Sequence, residues 1–432
     1  MAMKKNNKIN EIRIACIGAG CSGVGQMMLL ERFLPGCCVA FCDLNRNYFD
    51  AAMEEYFGQG STAMAGDFKS DAQNLRSDFR NLQFYTDVDE MFKKENINTA
   101  IIATFCSLHA DMVEKCVKHG VNILLEKPIA ITEGDVEKVW RLLKNYPKVT
   151  TVNFTMRGAP VSVAAKEHVR NGHIGKIVSV QYSNNVHYGD YYFRRWMRIK
   201  ENIGNLFLQK ATHDLDIINS IIGLKPVKIA AFGSRLVYGG DMPNDLTCDI
   251  CDKKMICPMS VHKRFLDAAR PLTAKHERKC VYAKEIDIDD NQVMIIQYEG
   301  GVTATYSQSF NAPPQGGGRG GTFIGTDGIM ELKYYGDYEE NSKNEITKGS
   351  SQLNITKFNA KPSSRIHEVY DWAGHGHFDG NEYGMLGKID LLKGGSSDVA
   401  GTVEEGYISA KMCLAAQKSI ETGSVVSLNL NM

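Results

Sequence analysis

Neither sign of charge is in excess: 50 lysines and arginines stand against 50 aspartates and glutamates in 432 residues. A neutral chain advertises no affinity for nucleic acid or for an anionic membrane, so neither is expected as a partner. Long apolar runs are missing too, and none approaches the roughly 18 residues of a membrane span. The first residues, Met1 to Asn10, are basic and polar and lead straight into a strand. A secretory leader would need an apolar stretch and a small-residue cleavage site there, and a cytoplasmic protein is predicted. Cysteine, by contrast, is plentiful. Twelve of them in a reducing compartment predict thiols or metal ligands and no disulfide framework. The length exceeds what one ordinary core supports, which predicts two domains, 1–153 and 154–432.

The first domain alternates strands and helices. Ile12 to Ile17 is apolar and runs into Gly18-Ala-Gly20-Cys21-Ser22-Gly23, then into helical spacing from Val24 to Phe33. A strand, a GxGxxG loop and a helix in that order form the dinucleotide fingerprint, with the pyrophosphate at the helix N-terminus. The next strand, Cys37 to Cys42, delivers Asp43 twenty residues after Gly23. A carboxylate there binds ribose hydroxyls and repels a 2′-phosphate, which predicts NAD over NADP. Further strands are read at Leu82–Tyr85, Thr99–Thr104, Val121–Leu125 and Val149–Asn153, with Ser107 capping a helix that Gly120 ends. The result is a doubly wound parallel sheet. Val121–Leu125 stops at Glu126-Lys127-Pro128, so two charges arrive at the carboxyl edge where such sheets bind ligands.

The second domain reads as α+β with a mostly antiparallel open sheet, from strands at Val227–Tyr238, Gln292–Glu299, Val302–Phe310 and Thr322–Leu332. Pro313 to Gly321 is expected to be a mobile loop and Asn341 to Ser364 a polar surface excursion. A closing helix over 404–422 is expected to pack back on the first domain. Gly204 to Gly223 reads as one helix, on which Gln209 and His213 stand four apart and share a face. A charged insertion, 239–280, carries Cys248, Cys251, Cys257 and Cys280 in the spacing C-x2-C-x5-C with the fourth after twenty-two residues. Four thiolates so spaced suit a structural zinc, with His262 and His276 as alternative fourth ligands.

Taken together, the glycine fingerprint, Ala103-Thr104…His109, Gly120 to Pro128 with its Glu-Lys-Pro, and Val152 to Arg157 resemble the Gfo/Idh/MocA oxidoreductases. These are NAD(P)-dependent enzymes acting mostly on sugars, inositols and related polyols. The resemblance implies hydride transfer between a ring hydroxyl or ketone and nicotinamide, and an open sheet that often forms the oligomer contact, here in a homodimer or homotetramer. His213 matches the histidine with which members of that family handle the substrate hydroxyl. It is expected to be the base and Lys127 to steady the alkoxide, with the reverse assignment, Lys127 relaying the proton, left open. Thr104, His109 and Glu126 are expected in the cofactor site. Gln209, Lys210, Arg157, Tyr188, Trp196 and His375 are expected to touch the substrate, with Asp379 nearby. Two departures stand out: Phe105 occupies a common proline position, and Gln209 an aspartate position. The second keeps open an NAD-dependent glycoside hydrolase acting by transient oxidation, beside a non-catalytic dinucleotide-sensing protein.

Overall fold

A computed structural model describes residues 12–57, 79–264, 278–313, 316–335, 338–340, 346–358, 365–372 and 377–432. It falls into two compact units: residues 1–130 with 134–158 and 381–406, and residues 131–133 with 159–380 and 407–432. No helix among the described residues is long and apolar enough to cross a membrane.

The first unit is built on six parallel strands, β1 Ile14–Ile17, β2 Cys38–Cys42, β3 Gln83–Tyr85, β4 Thr99–Ile102, β5 Asn122–Leu125 and β6 Thr150–Val152, in the order β3-β2-β1-β4-β5-β6. The central strands are buried along their length, as a sheet covered on both faces requires. Register puts their ends level: Tyr85, Cys42, Ile17, Ile102, Leu125 and Val152 form one row across the sheet. The next residues, Asp43, Gly18, Ala103, Glu126 and Asn153, therefore open their loops along one edge, each donating its N–H to the neighbouring strand. The strand order reverses between β1 and β4, so the crevice for a ligand lies at β1. Phe41, Phe49 and Phe79 pack beneath, with centroids 4.9 and 5.7 Å apart. Ser107 does not cap the helix after β4. A short 3₁₀ turn, Cys106–Leu108, precedes the helix His109–His119, which ends at Gly120 with φ +69°.

The second unit carries a ten-stranded sheet of β7 Ile177–Asn185, β8 Pro226–Ser234, β9 Asn291–Tyr298, β10 Thr303–Ser309, β11 Gly318–Gly325, β12 Gly328–Lys333, β13 Tyr338–Glu340, β14 Ile346–Lys357, β15 Ile366–Asp371 and β16 Val426–Ser427. The order is β13-β14-β12-β11-β7-β10-β9-β8-β16, with β15 beside β14. Every pair is antiparallel except β7 with β10. Side chains of β9 alternate strictly between buried and exposed.

Three sequence expectations change here. The strand read over Thr322–Leu332 is two, β11 and β12, turning at Thr326-Asp327. The glycine-rich stretch is strand from Gly318 onward and not a loop. Its composition reflects crowding, since a Cβ on Gly320 would stand 2.0 Å from the Leu332 carbonyl oxygen. Ile346–Lys357, inside the expected surface excursion, is a sheet strand with Leu353 and Ile355 buried. The closing helix spans Val403–Thr422, and from Tyr407 it belongs to the second unit.

Candidate functional site

Along the carboxyl edge of the first unit the glycine loop turns at Gly18, where φ is +96° and a Cβ would lie 2.4 Å from the Ala103 backbone. Gly20 differs: nothing stands within 4 Å of its Cβ position. Gly20 also opens the helix Cys21–Phe33, which has no side-chain cap and no acidic residue in its first turn. Uncapped N–H groups, a positive dipole end and open space above Gly20 are what a pyrophosphate needs, so the loop fits a dinucleotide.

Asp43 sits beside this loop. Its carboxylate accepts from Ala19 N at 2.9 Å and Asn45 N at 3.0 Å, one bond per oxygen, which leaves acceptor capacity for a diol. Glu126 ties three elements together: Oε1 accepts from Ser22 Oγ at 2.5 Å, Gln26 Nε2 at 2.9 Å and Asn153 Nδ2 at 2.7 Å. Asn153 Oδ1 in turn accepts from Lys388, whose ammonium burial pushes down to about 8 while Glu126 pulls it back up. Cys21 Sγ faces Glu55 Oε2 at 3.1 Å, and Ser22 is the loop's link to Glu126.

His109 is wholly buried, with Nδ1 2.8 Å from Pro128 O and Nε2 3.2 Å from Thr104 O. Burial holds it below an ordinary histidine despite two facing carbonyls, so its part is to fasten the Thr104 and Pro128 loops. Lys127 follows Glu126 on the same edge, partly buried, before a cis bond to Pro128. Phe105, half exposed, meets Tyr48 edge to face at 6.0 Å. Arg157 is buried and paired with Glu405 at 2.6 Å.

In the second unit the helix with His213 begins wider than expected, as a π turn over Phe207–Ala211 that leads into α-helix Thr212–Ile222. Such turns re-aim side chains. Gln209 is buried and its amide donates to Ile203 O at 3.4 Å. Lys210 is buried against Tyr188, its ammonium donating to the phenol oxygen and lying 4.6 Å from the ring centroid. Burial holds Lys210 below an ordinary lysine; Tyr188 opposes that shift and Arg319 adds to it. Trp196 is half exposed on its short 3₁₀ turn.

His213 stands 5.4 Å, centroid to centroid, from His377. The expected pocket histidine, His375, lies outside the described residues. His377, Phe378 and Asp379 all adopt left-handed backbone, with φ of 46°, 60° and 66°. Phe378 anchors that segment among Tyr334, Tyr335 and Trp372 at 4.9–5.2 Å.

Beside His213, Asp214 is fully buried and accepts from Arg319 Nε at 2.5 Å, Tyr306 Oη at 2.8 Å and Asn184 Nδ2 at 2.9 Å. Burial opposes the Arg319 charge, yet Asp214 holds it above even an ordinary arginine. A buried carboxylate so fully satisfied fixes the helix that presents His213. Sequence reading missed this network.

The cysteines of the insertion converge. Cys248, Cys251, Cys257 and Cys280 line one cavity with Arg194 and Lys254. His262, read as an alternative ligand, is turned to Asp249 Oδ1 at 2.9 Å, and His276 lies outside the described residues.

Comparison with known proteins agrees with both units. Residues 42–154 match the family model described as "Oxidoreductase family, NAD-binding Rossmann fold", and residues 166–428 match "Oxidoreductase family, C-terminal alpha/beta domain". YteT of Bacillus subtilis is 29% identical over 251 residues, 53% of this chain and 59% of its own length. The 2,7-anhydro-N-acetylneuraminate hydratase of Mediterraneibacter gnavus is 27% identical over 160 residues, 37% of this chain and 42% of its length. The matches thus span only about half the length of these curated relatives. A solved levoglucosan dehydrogenase, in complex with NADH and levoglucosan, superposes with a TM-score of 0.67 at 16% identity over 97% of this chain and 100% of its own, a likeness of fold. On the two family models, which together take in most of its length, the chain belongs to the Gfo/Idh/MocA oxidoreductases.

Proposed function

We propose that the protein is an NAD-dependent dehydrogenase that oxidises a ring hydroxyl of a sugar, glycoside or inositol, or reduces the ketone in reverse. The observation that carries this reading is the open Gly20 at an uncapped helix N-terminus, on the same sheet edge as Asp43 and Lys127. NAD, when bound, accepts the hydride from the carbinol carbon. Asp43 keeps the ribose hydroxyls and disfavours a 2′-phosphate. Arg46, the nearest following cation, already lies over Phe49 and Phe84 at 5.5 and 4.9 Å and leaves that choice to Asp43. Lys127 donates to the substrate oxygen and steadies the alkoxide charge as the proton leaves. His213 takes that proton, a role open to a neutral imidazole. Gln209 and Lys210 hydrogen-bond neighbouring hydroxyls, while Tyr188 and Trp196 offer aromatic faces to a sugar ring.

Relatives support the substrate class: a NAD-dependent scyllo-inositol 2-dehydrogenase of Bacillus subtilis is 24% identical over 155 residues. A second reading has its own support. Gln209, an amide that takes no proton, and the likeness to a hydratase favour transient oxidation, with the hydride returned to the product. Conversion of a panel of inositols, hexoses and glycosides, followed by NADH absorbance and by chromatography together, separates the two. NADH accumulating in step with product supports the dehydrogenase. Product formed without net NADH, from protein that retains its cofactor through purification, overturns it in favour of the second reading.

A further inference from the structure

The function proposed above leaves one built feature unused, the cysteine-lined cavity of the second unit. It is assembled by two separate pieces of backbone. Thr247 and Lys279 form an antiparallel bridge, with Cys248 N donating to Arg278 O at 2.7 Å and Cys280 N to Leu246 O at 2.9 Å, so Cys248 and Cys280 lie side by side across 32 residues of chain. A compact turn does the same for the other two. Lys254 N donates to Cys251 O at 3.1 Å and Cys257 N to Lys253 O at 2.8 Å, which folds the five residues between Cys251 and Cys257 back on themselves. Backbone hydrogen bonds therefore aim four thiols, two from a bridged pair of segments and two from a turn, at one cavity.

The surroundings are those of a thiolate cluster. Arg194 directs Nη1 at Cys248 Sγ, 3.7 Å away, and Lys254 also lines the cavity, while no carboxylate does among the described residues. Two cations beside four sulfurs oppose the net negative charge that a divalent ion with four thiolates carries. Among the described residues of the segment Met259 and Val261 turn inward, whereas Ile250, Met255 and Ile256 are 61–74% exposed. The sulfurs stand wider than a bound ion requires, because among the described residues the group with three ligand atoms within 4.8 Å of one another is Glu31, Cys37 and Cys38. That other group is a turn cap. Glu31 already accepts from Gly36 N and Cys38 N, and burial pushes the Cys38 thiol up.

We propose that Cys248, Cys251, Cys257 and Cys280 bind one structural zinc ion, which draws the two backbone pieces together. All four tetrahedral positions go to sulfur, so the ion takes no part in catalysis. Its mechanical consequence runs through two buried arginines. Arg194 also donates to Lys279 O and Met259 O, and Arg198 donates to Cys280 O at 3.1 Å and Asn244 O at 2.7 Å. Both belong to the segment 188–198 that presents Tyr188 and Trp196, so the ion steadies those side chains through the insertion.

The test uses the full chain, purified without chelator and reconstituted with zinc under reducing conditions. Elemental analysis should find about one zinc per chain, released on titration of the thiols, with a fall in Tm on chelation that added zinc reverses. Cobalt in its place should give the thiolate charge-transfer band and intense visible bands of a tetrahedral sulfur site, a readout that needs no variant to fold. Cys251→Ser and Cys257→Ser should each lose the metal, and Cys37→Ser should keep it. Reconstituted wild-type protein holding no zinc, cobalt spectra without thiolate bands, or metal retained in Cys251→Ser and Cys257→Ser but lost in Cys37→Ser would each overturn the proposal.

Discussion

At the scale of single residues, Lys388 shows how the Glu-Lys-Pro loop is held. Its ammonium is buried, donates to Asn153, and lies near enough to Glu126 to feel its charge. Burial lowers it to about 8 from an ordinary 10.5, so the unfolded chain binds this proton more tightly than the native one. The sign follows from that difference. This group's penalty on the fold is full below about pH 8 and is relieved as pH rises toward 10.5, by about 3 kcal/mol in all. Lys388→Met should flatten the rise in urea midpoint across that window. A profile as steep as wild type would show that another group titrates. None of this was readable from sequence. Lys388 sits 235 residues from Asn153, on a helix that gave no sign of returning to the first unit. Asp214 and Arg319 were hidden for the same reason, 105 residues apart, with the arginine inside a glycine run that reads as loop.

At the scale of elements, the glycine loop divides its labour. A Cβ at Gly18 meets backbone at 2.4 Å in a turn with positive φ, whereas a Cβ at Gly20 meets nothing within 4 Å. Gly18→Ala should therefore lower Tm or fail to fold. Gly20→Ala should keep the wild-type Tm and weaken NAD, in a fluorescence titration, by on the order of tenfold or more, since the added methyl occupies the phosphate's approach. Equal affinity in Gly20→Ala would move the pyrophosphate away from this loop. Elements made of contiguous signals were legible: the strand, fingerprint and helix run through Phe33, and the apolar Val121–Leu125 ends at its charged pair. The π turn at Phe207–Ala211 was not, because nothing in its spacing departs from an ordinary helix. Strand β14 was masked by its own polarity, since among its described side chains the buried apolar ones are Leu353 and Ile355.

At the scale of the whole molecule, the outer face of the second sheet carries an apolar patch on β8 and β9. Phe232 is 75% exposed opposite Val293, and Ile295 is 52% exposed on the neighbouring pair. A second copy of the chain is the occupant proposed for this face, in a homodimer or homotetramer. Light scattering should report that assembly for wild type and a monomer for Phe232→Glu with Ile295→Lys. A monomeric wild type would remove the proposal. The division into a parallel and an antiparallel unit was legible because strand patterning changes after Asn153, while the return of residues 381–406 to the first unit was not. The proposed hydride transfer to NAD, with Lys127 steadying the alkoxide, is tested most directly by NADH formation by wild type and Lys127→Ala at saturating NAD, with the sugar or inositol that turns over. NADH is expected from wild type, and a kcat lower by about 10²–10³ in Lys127→Ala, with NAD affinity unchanged. NADH formed at the wild-type rate by Lys127→Ala would contradict it.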